Sequence, residues 1–274
     1  MSTTHDSLEH FHPVIQAWFR GCFGAPVDAQ AQAWPVIAAG RHVLVTAPTG
    51  SGKTLTAFLW AINQLVTGAW PAGSTRVLYI SPLKALNNDV RINLLQPLGE
   101  LRGRFDEAGI AFPDINVLTR SGDTPPDERR MARRPPEILI TTPESLNILL
   151  SSKSGRAGLT GIASVILDEI HAIAGTKRGT HLITAVERLV PLSGEFQRIA
   201  LSATVRPVET VAGFVGGFIQ HGSGAGCGYE ARPVTIIRAG GGRQYRLSVT
   251  FPENAREQMA DNSWWPALIE SFRH

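Results

Sequence analysis

The chain has 274 residues, 43% of them apolar and 18% charged, enough to bury a core, which excludes collagen-like, disordered and disulfide-stapled classes. A formal net charge of +3 is a slight imbalance rather than a polybasic surface, so nucleic acid is allowed as a partner without being required. Cys22 and Cys227 lack zinc or redox spacing, the first ten residues lack a secretion signal, and no run of about 18 apolar residues occurs, so a cytoplasmic protein without a membrane span is expected.

Short apolar runs rich in Val, Ile and Leu recur at 42–46, 76–81, 115–119, 137–141, 164–167 and 198–201. Near-continuous apolarity without alternation marks strands buried on both faces. Between them lie helical patterns. Leu55, Leu59, Ile62 and Val66 share one face of a helix, and Leu182, Ala185, Val186 and Leu189 share another. Alternating strand and helix predicts an α/β fold, a mostly parallel sheet with helices on both faces, whose functional residues gather at the carboxyl ends of the strands. From Gly213 to Gly228 seven of sixteen residues are glycine, which reads as a boundary or loop. The expected organisation is therefore a first domain over 1–212, a glycine-rich linker or loop over 213–230, and the start of a second domain over 231–274. The last part carries strands at 232–238 and 246–251 and a short helix at 264–272 with Trp264 and Trp265.

Directly after the first strand stands Ala47-Pro48-Thr49-Gly50-Ser51-Gly52-Lys53-Thr54, followed by an amphipathic helix. A phosphate chain needs several backbone N–H groups aimed inward, and Gly50 and Gly52 tolerate the dihedrals that this requires. The helix start points its positive dipole end at the anion, Lys53 reaches the outer phosphates as a compact point charge, and Thr54 offers a hydroxyl to Mg²⁺. Only four lysines occur in the chain, Lys53, Lys84, Lys153 and Lys177, and one of them is here. The strand at 164–167 runs into Asp168-Glu169-Ile170-His171. Adjacent acids at the end of a buried strand are costly to desolvate unless they hold a cation or do proton work. Asp168 suits the Mg²⁺ shared with Thr54, and Glu169 suits the orientation and deprotonation of an attacking water. His171 is either a nucleotide sensor or a helix-start residue. The strand at 198–201 delivers Ser202-Ala203-Thr204.

In this order the motifs resemble a superfamily 2 helicase of the large helicase-related (Lhr) branch of DExH proteins. The resemblance covers roughly residues 11–215 and rests on PVDAQ (26–30), APTGSGKT (47–54), SPLKALNNDV (81–90), RSGDTPPDER (120–129), TTPESL (141–146), DEIH (168–171), KRGTH (177–181) and SAT (202–204). It implies a RecA-like first ATPase domain that uses ATP and Mg²⁺ and moves 3′ to 5′ on single-stranded DNA, with RNA or an RNA–DNA hybrid as alternatives. It further implies that Gln30 reads adenine with Phe23 as a stacking neighbour, although Val27 stands where the family has threonine. Thr49, Gly50, Ser51, Gly52, Lys53, Thr54 and His171 would complete the ATP site, and Ser202 and Thr204 would couple it to nucleic acid. Lys84, Arg120, Gly122, Thr142, Ser145 and Arg178 would meet the strand. Two of these keep a structural alternative, since Thr142 and Ser145 also suit helix capping. Arg178 suits a strand or a partner domain, and the run Arg129, Arg130, Arg133 and Arg134 suits a solvated helix face. With no arginine-finger segment in the chain, the second helicase domain is expected to be missing and activity alone to be weak. The competing expectation is a non-catalytic, nucleotide-dependent binding module.

Overall fold

The computed structural model describes residues 6–122, 135–222 and 226–240, with backbone only at 84–88. The arginine run at 129–134, the strand expected at 246–251 and the helix expected at 264–272 lie outside them. The amino-terminal part is helical. After a 3-10 turn (Ser7–His10) come α1 (Pro13–Phe23) and α2 (Asp28–Ala38), and β1 (His42–Thr46) then leads into α3 (Lys53–Val66). Next come β2 (Val77–Ile80), α4 (Lys84–Glu107), β3 (Val117–Arg120), β4 (Ile138–Thr141), α5 (Pro143–Ser151), α6 (Lys153–Ala157) and β5 (Ser164–Leu167). The remainder is a second 3-10 turn (Ile170–Ala172), α7 (Lys177–Glu187), α8 (Val190–Ser193), β6 (Gln197–Ser202), α9 (Val208–Gly216), β7 (Phe218–His221), β8 (Gly228–Ala231) and β9 (Val234–Arg238).

Among the described residues the main sheet has seven strands in the order β3-β4-β2-β5-β6-β1-β9. Every pairing in it is parallel. Side chains alternate between two cores. Val43, Val45, Tyr79, Ile140, Ile166 and Leu201 face one core with Trp34, Phe19 and Ile62. Leu44, Leu78, Leu139, Val165 and Ala200 face the other with Leu149, Leu182 and Val186. Both faces are thus covered, which is why these strands read as unbroken apolar runs. Helix starts follow local chemistry. Pro13 opens α1 behind the His12 cap, Thr142 caps α5 ahead of Pro143, and Thr176 caps α7.

The expected boundary at 212 is not where the sheet ends. Helix α9 crosses it, β7 and β8 form an antiparallel hairpin within the glycine-rich stretch, and β9, assigned from sequence to a second domain, pairs with β1. Ion pairs made by two buried arginines hold this return. Arg198 Nη1 donates to Glu187 Oε1 (2.7 Å) and to the carbonyls of Val215 and Gly216, while Arg232 donates to Glu187 (3.0 Å) and Glu195 (2.8 Å). Gly217 is required there, since at its φ of 59° a Cβ would lie 2.1 Å from Glu187 Oε1. The compact unit accordingly runs to Gly241.

Candidate nucleotide and nucleic-acid site

The loop Ala47–Thr54 starts where β1 stops, next to the end of β6, and Ala47 N–H donates to the Ser202 carbonyl (3.1 Å). Gly50 and Gly52 take φ of 75° and 74°, the left-handed region that glycine enters without steric cost. Gly52 has a second reason, because a Cβ there would lie 3.0 Å from Gln30 Nε2. Gln30 is buried beneath the loop and its Oε1 accepts from Val27 N–H (3.0 Å). Val27 itself gives α2 no side-chain cap. Lys53 Nζ donates to the carbonyls of Ala47 (2.6 Å) and Pro48 (2.8 Å), and an ammonium has one further donor for a phosphate. Burial pulls the Lys53 pKa down, while Glu169 and Asp168 oppose that shift. The Ser51 hydroxyl is buried without a hydrogen-bond partner, as is that of Ser202. An unsatisfied buried hydroxyl costs about 1–3 kcal/mol, so a polar ligand at the loop is chemically fitting.

Asp168 is 6% exposed. Its Oδ1 accepts from Glu169 N–H (2.8 Å) and its Oδ2 from the Tyr79 hydroxyl. Burial pushes the Asp168 carboxyl pKa up, against the two hydrogen bonds. Burial, then Asp168, pushes the Tyr79 phenol far up, so it remains a donor. Glu169 is the one non-glycine with positive φ (49°) among the described residues, a conformation held only when the surroundings over-determine it. His171 Nδ1 lies 3.2 Å from Glu169 Oε2 and 3.2 Å from Ala203 N. That nitrogen can donate to Glu169 or accept from Ala203, not both. His171 therefore stands between the acidic motif and the Ser202–Thr204 segment, in a 3-10 turn as well as beside the site.

Thr49, Gly50, Lys53, Thr54, Asp168 and Glu169 line one cleft of about 550 Å³, whose far wall is made by α1 and α4. Phe23 lines it too, half exposed and in edge contact with Trp18. Trp18 Nε1 donates to Glu100 Oε2 (2.8 Å), which ties α1 to α4.

The residues expected to meet a nucleic-acid strand lie at the carboxyl ends of β2, β3 and β4 and at the start of α7. Thr142 is the cap of α5. It and Ser145 are both buried, Thr142 Oγ1 accepts from Ser145 N–H (3.3 Å), and its hydroxyl donates to Ser145 Oγ (3.2 Å). Arg178 forms a two-point pair with Glu144, Nε to Oε1 at 2.6 Å and Nη2 to Oε2 at 3.1 Å. Arg120 is half-buried at the end of β3, where its carbonyl accepts from Thr141 Oγ1 (2.8 Å), and Gly122 is exposed. Lys84 opens α4. Thr204 follows β6, exposed just beyond its end. Sequence reasoning missed Tyr79. Its signal was a phenol inside an otherwise aliphatic buried strand, where the hydroxyl must find a partner.

Among the described residues no helix is long and apolar enough to cross a membrane. The family model of the DEAD/DEAH box helicases matches residues 27–211. The Lhr helicase/probable uracil glycosylase of Mycolicibacterium smegmatis is 46% identical over 268 residues, 97% of this chain and 17% of that protein. The ATP-dependent helicase Lhr-Core protein 2 of Thermococcus barophilus is 48% identical over 225 residues, 81% of this chain and 26% of that protein. The solved structure of the Mycobacterium smegmatis helicase Lhr bound to ssDNA and AMP-PNP superposes with a TM-score of 0.80 at 46% identity, covering 98% of this chain and 33% of the other. The chain thus spans from about a sixth to a third of the length of these relatives.

Proposed function

Since the chain belongs to the DEAD/DEAH box helicase family, we propose that it is the first ATPase domain of an Lhr-like motor that spends ATP on moving along single-stranded DNA, working in the cytoplasm. The observation that carries this is convergence: the phosphate loop with Lys53 and the acids Asp168 and Glu169 line the same cleft. Loop amides and Lys53 grip the phosphates. Thr54 and Asp168 are the residues to hold Mg²⁺, which when bound draws charge off the phosphates. Among the described residues no group of three or more His, Cys, Asp or Glu could hold a metal. One carboxylate, one hydroxyl and the nucleotide's own oxygens are a donor set suited to Mg²⁺. Glu169 orients the attacking water and takes its proton. Gln30 reads adenine from beneath the loop, with Phe23 beside it. Ser202 and Thr204 couple the site to the strand, Ser202 through its carbonyl bond to Ala47. The strand backbone runs over Lys84, Arg120 and Gly122, contacts that grip phosphates without reading sequence. Thr142 and Ser145 shape the start of α5 beneath that track, and Arg178 with Glu144 borders it.

Full turnover needs a second sheet domain, because arginine fingers contribute about 10³–10⁵ in rate. The test is ATP binding and hydrolysis by this chain with and without single-stranded DNA. Mg-ATP binding with slow hydrolysis is the expected result, and Lys53→Ala should weaken the binding. Rates normal for a complete motor would refute the need for a second domain, and absence of ATP binding would refute the whole reading. A chain that bound DNA in response to nucleotide and never hydrolysed it would instead be a binding module.

A further inference from the structure

We infer that Tyr79 is a positioning residue of the metal site, its phenol fixing the Asp168 carboxylate in the orientation that takes up Mg²⁺ together with the nucleotide. The inference rests on the reading of Asp168 as the metal carboxylate. Both Asp168 oxygens have a donor, the Glu169 N–H on Oδ1 and the Tyr79 hydroxyl on Oδ2, so the plane of the carboxylate is set from two sides. The backbone donor comes from the next residue and moves with Asp168. Tyr79 comes from the neighbouring strand β2 and is the reference that does not. Its ring is completely buried and stacks on Phe58, with centroids 5.1 Å apart and planes inclined by 24°. Phe58 belongs to α3, four residues after Thr54, hence on the same helical face. One stack therefore registers the helix that carries the Thr54 hydroxyl against the phenol that holds Asp168. The Asp168 N–H, bonded to the Ile80 carbonyl (3.0 Å), closes the backbone side of the same arrangement. An aliphatic residue at 79 would fill the volume and leave the carboxylate free to rotate.

The test is Mg²⁺ titration of the affinity of the whole chain for a fluorescent ATP analogue, with EDTA as the metal-free arm. Tyr79→Phe keeps the stack and removes only the hydroxyl. It should need about 10-fold more Mg²⁺, the lower end of the loss usual when a partner of a metal ligand is removed, with unchanged affinity in EDTA. In an Asp168→Asn background the same change should add nothing. Should the phenylalanine variant lose its native circular dichroism, fluorotyrosine labelling of the unmutated chain serves instead. It has three tyrosines, Tyr79, Tyr229 and Tyr245, and adding Mg²⁺ to the nucleotide-bound chain should shift the Tyr79 fluorine resonance. A Mg²⁺ curve of Tyr79→Phe that superimposes on the unmutated one, or a Tyr79 resonance indifferent to Mg²⁺, would overturn the role of Tyr79 alone. An unmutated chain whose nucleotide affinity ignores Mg²⁺ would overturn the metal reading of Asp168 and this inference with it.

Discussion

Lys53 holds its ammonium against two loop carbonyls, a seat that phosphate oxygens share in the proposed function. Losing a charge-assisted bond of this kind weakens ATP affinity about 10–100-fold, which a Lys53→Ala titration should show. Glu169 lies on a left-handed backbone at the end of β5. Glu169→Gln keeps that shape and the metal site, so binding should survive while hydrolysis falls by about 10²–10⁴. Away from the site, hydrogen bonds from Arg232 hold the Glu195 carboxyl below its ordinary value of 4.5 against the cost of burial. A carboxylate with a depressed folded pKa stabilises above its unfolded pKa and loses that contribution as pH falls through the folded one. Glu195→Gln should therefore melt earlier than the unmutated chain at pH 7, and the difference should vanish well below pH 4.5. A constant difference down to strongly acid pH would contradict the pairing.

Helix α7 begins where Gly179 passes close to another segment, so that a Cβ would lie 2.2 Å from the Ile173 carbonyl oxygen. Backbone cannot yield as a flexible side chain does, and Gly179→Ala should cost about 1–3 kcal/mol. Thermal melting should fall by roughly 2–4 °C for each of those kcal/mol. Elements of this kind divide by how legible they were. Strands β1 to β6 and the helix after the phosphate loop could be read from apolar runs and from their order, because both faces of the sheet are covered. β9 was misassigned because it follows a glycine-rich stretch, and composition gives no hint of the Arg198, Glu187 and Arg232 pairs that bring it back. The hydroxyls of Thr142 and Ser145 could be read two ways, since sequence shows a capping pattern without showing which oxygen is buried. The phosphate loop and the acidic pair were legible for the opposite reason. Their chemistry depends on neighbours in sequence, whereas Tyr79 reaches Asp168 across two strands and has no local signature.

At the scale of the molecule, the unit that folds is set by where the sheet closes. A chain cut after residue 212 loses β9, leaves the outer edge of β1 unpaired and strips Arg232 from Glu187 and Glu195. It should aggregate, as open strand edges do, whereas a chain cut after 240 should be monodisperse in size-exclusion chromatography. Equal behaviour of the two would show that β9 is dispensable.

The seat of Lys53 also has a spectroscopic use. Arginine carries nearly all the positive charge, so reductive methylation with carbon-13 would tag only four side chains besides the amino terminus. One of those tags would stand in the phosphate loop, on an amine whose burial sets it apart from amines in water. Dimethylation keeps the charge and takes two of the three N–H donors of Lys53, so bound nucleotide should show as protection of that amine from the reagent, in a spectrum sparse enough to read by inspection. A chain so poor in lysine thus carries a ready reporter of nucleotide arrival, with no cysteine or fluorophore to be introduced.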